Sequence, residues 1–381
     1  MSRLKNGVAL FESSTPGEFF IGTFKRAIRI YTPEQKLIAQ CLSSRSSDEV
    51  AAEFPEINRT HLEKLMTELE HEKLVDHSIG ALRVSTRFHS KLDNRAKKNS
   101  DKSFDAGLNQ LHNRTEPELA QTSWIAGVAD GGAEILSARQ KYLVEISGNN
   151  RVATLLFSLL LASGFSQTRF APHSRGKTPL IGDLELGLAS FRASDVGNSF
   201  KSHCESIRKE IALFPLDRER NYLDELAPAN LRVHCGEFDP EILSLWMSTG
   251  QTFIHIPTPL ADQGRIGPLV IPGKSPCLRC LELSERDQHG ISDYQILSKK
   301  FTTDYPQIAA NFIAALAASH IAQYCDNQSC EIQSDGANSS GGVDGLLKAE
   351  LVGNVINIDY QLLSHPEVIA ITRHPLCGCA F

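Results

Sequence analysis

Two tight cysteine pairs, ~100 residues apart, constrain this chain more than any other feature. Cys277 and Cys280 sit in Pro-Cys-Leu-Arg-Cys, and Cys377 and Cys379 in His-Pro-Leu-Cys-Gly-Cys. Together they read as the ligand set of one tetrahedral, four-cysteine zinc site. A site with four protein sulfurs leaves no position open for water or substrate, so it clips structure rather than catalyses. The expectation is a structural zinc that staples the tail to the body, with everything between the pairs in one folded unit. Two unrelated thiol pairs, or a disulfide, are the rival assignments. A bridge within Cys-Gly-Cys would be strained, and a reducing compartment works against it.

Composition narrows the function classes. The 381 residues allow two domains or three, and 41% apolar with 22% charged residues describe an ordinary globular protein. A net charge of −6 argues against wholesale binding of nucleic acid or an anionic membrane. The first residues, Met-Ser-Arg-Leu-Lys-Asn-Gly, lack the apolar run of a signal peptide. The apolar stretch Val152–Ala162 is too short to span a bilayer. The expected compartment is the cytoplasm. Cys41, Cys204, Cys235, Cys325 and Cys330 show no ligand spacing with one another.

Residues 1–85 read as a small separate domain. Phe19-Phe20-Ile21 and Ala27-Ile28-Arg29-Ile30 predict short strands, and three helices follow with their own start signals. Thr32-Pro33-Glu34-Gln35 offers a capping box with proline at the first helical position. Ser46 with Glu49 starts the second helix and Thr60 with Glu63 the third, which carries Leu62, Leu65, Met66 and Leu69 at helical spacing. Leu74-Val75 and Ala81–Val84 predict a last β element, completing the outline of a winged helix-turn-helix. Residues 86–138 are polar and read as a linker with one short helix near Glu116–Ala120. From 139 to 381 the pattern is α/β. Tyr142–Ile146, the turn Ser147–Asn150, the apolar helix Arg151–Ser163 and the strand Thr168–Phe170 form a βαβ unit, which implies a mainly parallel, Rossmann-like sheet. Leu188–Phe191, Leu231–Val233, Thr252–Ile256, Val355–Ile358 and Val368–Ile371 are further strand candidates. Gln307–Tyr324 is a long helix, and Gln328–Gly342 reads as a polar loop.

The turn at 147–150 is where such a sheet would hold a nucleotide. A working cradle uses several glycines so that backbone can approach phosphate at a helix N-terminus. Here Gly148 stands with Asn149, Asn150 and Val152, and the second strand lacks a ribose-binding acid at its end. The chain there reads Ala-Pro-His-Ser-Arg-Gly-Lys, leaving Arg175 and Lys177 as cations that could attract an anion. The expectation is a degenerate turn at Gly148, with no ATP held by this chain.

The run Ile266-Gly267-Pro268-Leu269-Val270-Ile271-Pro272-Gly273-Lys274-Ser275-Pro276-Cys277-Leu278-Arg279-Cys280-Leu281-Glu282-Leu283, followed by Arg286-Asp287, is specific. It closely resembles the ThiF-like cyclodehydratase partner proteins of azole- and azoline-modified peptide pathways, the leader-peptide-binding "C" proteins that work beside a YcaO-type enzyme. His374–Cys379, Ser194-Asp195-Val196-Gly197 and Ala317-Ala318-Ser319-His320 share the likeness, which covers most of 139–381. The resemblance implies a ThiF-type domain, related to ubiquitin-activating enzymes, with structural zinc, behind a PqqD-like winged helix-turn-helix. The small domain would grip the leader of a ribosomally made precursor peptide. The leader would add a strand along Arg26, Ala27, Ile28, Arg29 and Ile30 and lie against Leu62, Leu65, Met66 and Leu69. The partner would carry the ATP chemistry, and no residue of this chain would be catalytic. The fold family also implies a homodimer. Two rivals remain. An active adenylyltransferase would need a phosphate cradle, a ribose acid and usually a catalytic arginine or a cysteine nucleophile, for which Cys204 and Cys235 are the candidate thiols. A DNA-binding regulator would need a basic recognition helix, but 58–73 sets Arg59, Lys64 and Lys73 against Glu63, Glu68, Glu70 and Glu72.

Overall fold

The computed structural model describes residues 2–78, 80, 82–83, 102–172, 179–187, 191–214, 228–237, 239–259, 262–290, 304–334 and 350–379. They fall into two compact units, one built from residues up to 138 with the end of a long helix from Cys330, the other from Arg139 onward.

The first unit opens with β1 (Arg3–Leu4), β2 (Ala9–Glu12), β3 (Phe19–Gly22) and β4 (Ala27–Ile30). Strands β2, β3 and β4 form an antiparallel sheet in that order. Then come α1 (Pro33–Leu42), α2 (Ser47–Glu53), α3 (Arg59–His71) and β5 (Val75–Asp76), the last paired antiparallel with β1. Both capping boxes expected from the sequence form: Thr32 with Gln35 and Ser46 with Glu49 each satisfy two otherwise orphaned backbone donors. The third helix starts earlier than expected, because the Asn58 side chain accepts from Thr60 N–H and so takes the N-cap. One face of the sheet supplies Leu10, Phe19, Ile21, Ile28 and Ile30 to a core closed by the three helices. Of the expected final β element, Ala81 and Val84 lie outside the described residues.

The segment expected as a linker holds two helices, α4 (Lys102–Ser123) and α5 (Ala133–Arg139). It is tied to the N-terminal strands. Lys5 is buried and donates from Nζ to the carbonyls of Ser123 and, at 2.8 Å, Val128, with Asp76 at 3.4 Å. His77 and Gly80 N–H groups bond the carbonyls of Ala129 and Asp130, and Trp124 Nε1 donates to Asn6 O. Polar composition hid this packing because the contacts are made largely by backbone. Residues 95–101 lie outside the described residues.

The second unit carries the mainly parallel sheet that the βαβ pattern implies. Its strands are β6 (Val144–Ser147), β7 (Arg169–Phe170), β8 (Leu231–Gly236), β9 (Phe253–Pro257) and β11 (Leu269–Val270), in the order β7-β6-β8-β9-β11. All neighbours are parallel except β9 and β11. A second, antiparallel sheet runs β10 (Gln263–Ile266), β12 (Asn354–Asp359) and β13 (Glu367–Ala370). Helices α6 (Arg151–Ala162), α7 (Phe200–Ile211) and α10 (Gln307–Ser334) share one core with Val144, Ile146, Val233 and Ile254. Helix α8 (Pro240–Ser248) and α9 (Leu278–His289) lie in a second cluster with Phe253, Val270 and Val355. Helix α10 continues to Ser334, through the first residues of the stretch expected as a loop, and 335–342 lie outside the described residues. Its span Gln307–Cys330 is apolar and long enough to cross a membrane, yet Ala310, Ile313, Ala314, Ala317 and Ile321 are fully buried as core residues. Of the strand candidate at 188–191, Phe191 makes a bridge to Gly187 and the rest lies outside the described residues.

Candidate functional site

Three places in the chain bear on function. The first is the crevice at the C-terminal ends of β6 and β8. The sheet reverses its order there, which is where doubly wound folds take ligands. Gly148 follows β6 with φ +107, a conformation that L side chains rarely adopt. A Cβ at this glycine would collide with the Cys235 carbonyl oxygen and stand 2.9 Å from its carbonyl carbon. The glycine is therefore required by the close approach of β8. The first turn of α6 is capped by its own chain. Asn150 caps Ala153 N–H at 2.9 Å, and Thr154 Oγ1 donates to the Glu185 carbonyl at 2.9 Å. The buried Glu185 carboxylate accepts from Asn149 Nδ2 and from Gly182 N–H, both at 2.8 Å. A phosphate brought to this turn would meet that carboxylate as a like charge. Arg175 and Lys177 lie outside the described residues.

Across the same strand ends run Ser147, His234 and His255, in register on β6, β8 and β9. His234 Nε2 lies 2.6 Å from the Glu237 carbonyl and Nδ1 2.9 Å from Ser147 Oγ. The carbonyl accepts only, so Nε2 carries a proton; the Ser147 hydroxyl also lies 3.4 Å from the Val233 carbonyl, to which it donates. Complete burial, with His234 and Arg265 nearby, pushes the His255 imidazole down to about 3, so it is neutral. One row deeper, Glu145 is clamped by Arg169 at 2.6 Å and Arg232 at 3.1 Å. The thiols weighed as nucleophiles are poor ones: burial pushes Cys204 and Cys235 each up to about 12.

The second place is the cysteine cluster. The ligand atoms of Cys277, Cys280, Cys377 and Cys379 all lie within 4.8 Å of one another. Cys277 Sγ is 3.9 Å from Cys280 Sγ and 3.3 Å from Cys377 Sγ, and Cys280 Sγ is 3.4 Å from Cys379 Sγ. A tetrahedron with Zn–S bonds of about 2.3 Å has sulfurs about 3.8 Å apart, so the cage has the right size for a metal ion. Cys277 is the N-cap of α9 and Cys280 lies in its first turn, where the helix dipole favours thiolates. Burial pushes the Cys277 thiol up to about 11, and burial together with the neighbouring sulfurs raises Cys377 well above an ordinary thiol. Four adjoining thiolates need a divalent counter-charge, which a metal ion supplies. His374 is turned aside: Nε2 meets Asp287 Oδ2 at 2.9 Å and Nδ1 accepts from Leu376 N–H at 3.2 Å.

The third place is the β4 edge of the first unit. Thr23 and Arg26 exchange backbone bonds at the hairpin tip. Pairing alternates in an antiparallel ladder, so Ile28 and Ile30 bond to β3 while Ala27 and Arg29 point their N–H and C=O groups off the sheet. Arg29 pairs with Glu18 and stands over the Tyr31 ring, and the hairpin residue Phe24 is fully exposed. Arg26 sits at the tip itself. On α3, Leu62, Leu65, Met66 and Leu69 are all buried in the unit's core. The structure thus places the strand residues at a free edge and the helix stripe inside.

No family model matches the sequence, and no curated protein matches it. Solved structures do match over the whole chain. The microcin C7 biosynthetic enzyme MccB, in complex with N-formylated MccA, aligns at TM-score 0.64 and 14% identity, covering 100% of this chain and 99% of that one. Escherichia coli MccB with ATP aligns at TM-score 0.63 and 14% identity with the same coverage. PaaA aligns at TM-score 0.63 and 13% identity, covering 97% of this chain and 100% of that one. At such identity the likeness is one of fold: the chain has the mixed α/β fold of MccB and PaaA.

Proposed function

We propose that this chain is a leader-peptide-binding scaffold. Its first unit, a winged helix-turn-helix of the PqqD-like kind, takes the leader of a ribosomally made precursor as an added strand on β4. Its ThiF-like second unit docks a YcaO-type cyclodehydratase and holds the precursor's core segment near that enzyme. There a Cys, Ser or Thr side chain attacks the preceding amide, and ATP on the partner activates the oxygen that leaves as an azoline forms. The scaffold raises the effective concentration of substrate. The four-cysteine cage takes structural zinc and joins the tail to α9.

The observation that carries this reading is the free β4 edge. Outward N–H and C=O groups at Ala27 and Arg29 offer an extended peptide four backbone bonds, while Ile28 and Ile30 fix the inner face. The crowded Gly148 turn and the Glu185 carboxylate support a scaffold over an ATP-using enzyme. The test is binding of synthetic leader segments, from short peptides encoded beside the gene, to the zinc-loaded chain. Ala27→Pro removes one outward donor without touching the β3 ladder and should weaken binding about tenfold or more. A leader that binds both proteins equally well would refute the edge.

A second reading is favoured by the fold shared with MccB, solved with ATP. On it, the chain is an adenylyltransferase acting on a peptide or carrier C-terminus. Pyrophosphate exchange with ATP would establish that reading; its absence across peptide acceptors supports the scaffold.

A further inference from the structure

The β2-β3-β4 sheet is apolar on both faces. Leu10, Ile21, Ile28 and Ile30 turn toward the helices and join the core of the first unit. The other face of such an antiparallel sheet is ordinarily polar. Here it carries Phe11 and Phe20, directly opposite one another on β2 and β3, with rings stacked at 5.9 Å. Phe24, on the tip of the β3–β4 hairpin, extends the pair: its ring is fully exposed and its centroid lies 6.2 Å from that of Phe11. None of the three belongs to the core that the helices close. A ring held in water gains nothing on folding, and aromatic side chains are enriched where one protein meets another.

The charge of the tip supplies the other half of the surface. Lys25 and Arg26 follow Phe24, both are exposed, and neither has an ion-pair partner among the described residues. The arginines of the neighbouring strands are already matched, Arg3 with Glu49 at 3.2 Å and Arg29 with Glu18. Two adjacent unmatched cations, in a chain of net charge −6, make a local site for an anionic group.

The tip adjoins the β4 edge. Ala27 and Arg29 offer their backbone groups outward, and Ala27 is the first residue of the strand after the tip. An extended segment paired with Ala27 therefore has its next one or two residues level with Lys25 and Arg26.

We propose that the leader taken by β4 is acidic and apolar at the end that passes the hairpin tip. Its carboxylates meet Lys25 and Arg26, and a large apolar side chain lies on Phe24 and Phe11. The inference rests on the leader-binding reading and adds the chemistry by which that edge tells one precursor from another. Backbone pairing along β4 is blind to sequence, since every residue but proline offers the same groups. The tip discriminates by charge, on the face of the sheet turned away from α3.

Fluorescence anisotropy with the full zinc-loaded chain tests this. The probes are labelled synthetic peptides covering the short reading frames beside the gene, and the tightest binder is remade with lysine in place of each acidic residue. Lys25→Glu combined with Arg26→Glu should weaken the acidic peptide about tenfold, and should restore binding of the lysine peptide. Phe24→Ser, which removes no core contact, should weaken the acidic peptide about fivefold. A peptide that is weakened by Ala27→Pro but ignores the charge reversal or Phe24→Ser would overturn the tip contact and leave the edge standing, as would a tightest binder without acidic residues. Binding that ignores Ala27→Pro, or no binding by any peptide, would overturn the edge reading and the tip with it.

Discussion

Replacing Gly148 by alanine separates a packing glycine from a phosphate-binding one. At φ +107 an alanine costs about 1–2 kcal/mol in backbone strain. The added Cβ would also press on the Cys235 carbonyl, whose carbon lies 2.9 Å away, so β6 and β8 must part locally. Loss of a ladder bond near Ser147 and His234 adds about 1 kcal/mol, and the repacking another 1. The total is about 3–4 kcal/mol, or about 10 °C in the melting of a unit this size. Gly236→Ala is the control: its φ is +150, but a Cβ there meets nothing within 4 Å. It should cost about 1 kcal/mol. The chain's two tryptophans fall in different units, so in a Trp124→Phe background the fluorescence of Trp246 follows the second unit alone during urea unfolding. Equal losses for the two alanine variants, or a Gly148→Ala protein as stable as the parent, would refute the reasoning.

Cys277→Ser should release the metal and loosen the layer formed by α9, Val355 and Ile371, read as lost zinc by atomic emission and a lower melting temperature. His255 gives a pH signature. Its folded pKa of about 3 lies below the ordinary 6.5, so the unfolded chain binds the extra proton, and stability falls as pH drops through that window. The slope is about 1.4 kcal/mol per pH unit, so from pH 7 to 5 the parent should lose about 2 kcal/mol more than His255→Leu in urea unfolding. Above pH 6.5 the two curves should run parallel. Lys5→Ala strands the buried Asp76 and should destabilise the first unit by about 3 kcal/mol, with Trp124 fluorescence as the probe.

The features legible in the sequence are those written locally. Thr32 with Gln35 and Ser46 with Glu49 are complete capping signals within four residues, and both helices start where those residues say. The β6–α6 unit announces itself through an unbroken apolar run. The cysteine pairs carry their own spacing, which let a contact across ~100 residues be expected. Two further helix starts are equally local: Ser199 caps α7, and Asp239-Pro240 caps α8 with proline at the first helical position. The remaining features depend on tertiary pairing. Periodicity marks Leu62, Leu65, Met66 and Leu69 as one apolar face, but it cannot say whether core or partner covers that face. Strand pattern finds β4 and β13 without telling that both stand at sheet edges. Nothing near Glu185 shows that its carboxylate will reach Asn149, 36 residues away. Residues 102–138 look like a linker because their packing against β1 is made by backbone carbonyls and a buried lysine.

Calorimetric titration of ATP into the purified, zinc-loaded chain tests the central claim most directly. The scaffold account predicts no heat of binding at millimolar nucleotide, because the one glycine of the turn is taken up by packing against Cys235 and the Glu185 carboxylate stands beside it. Micromolar binding would contradict it and make adenylation the activity of this fold.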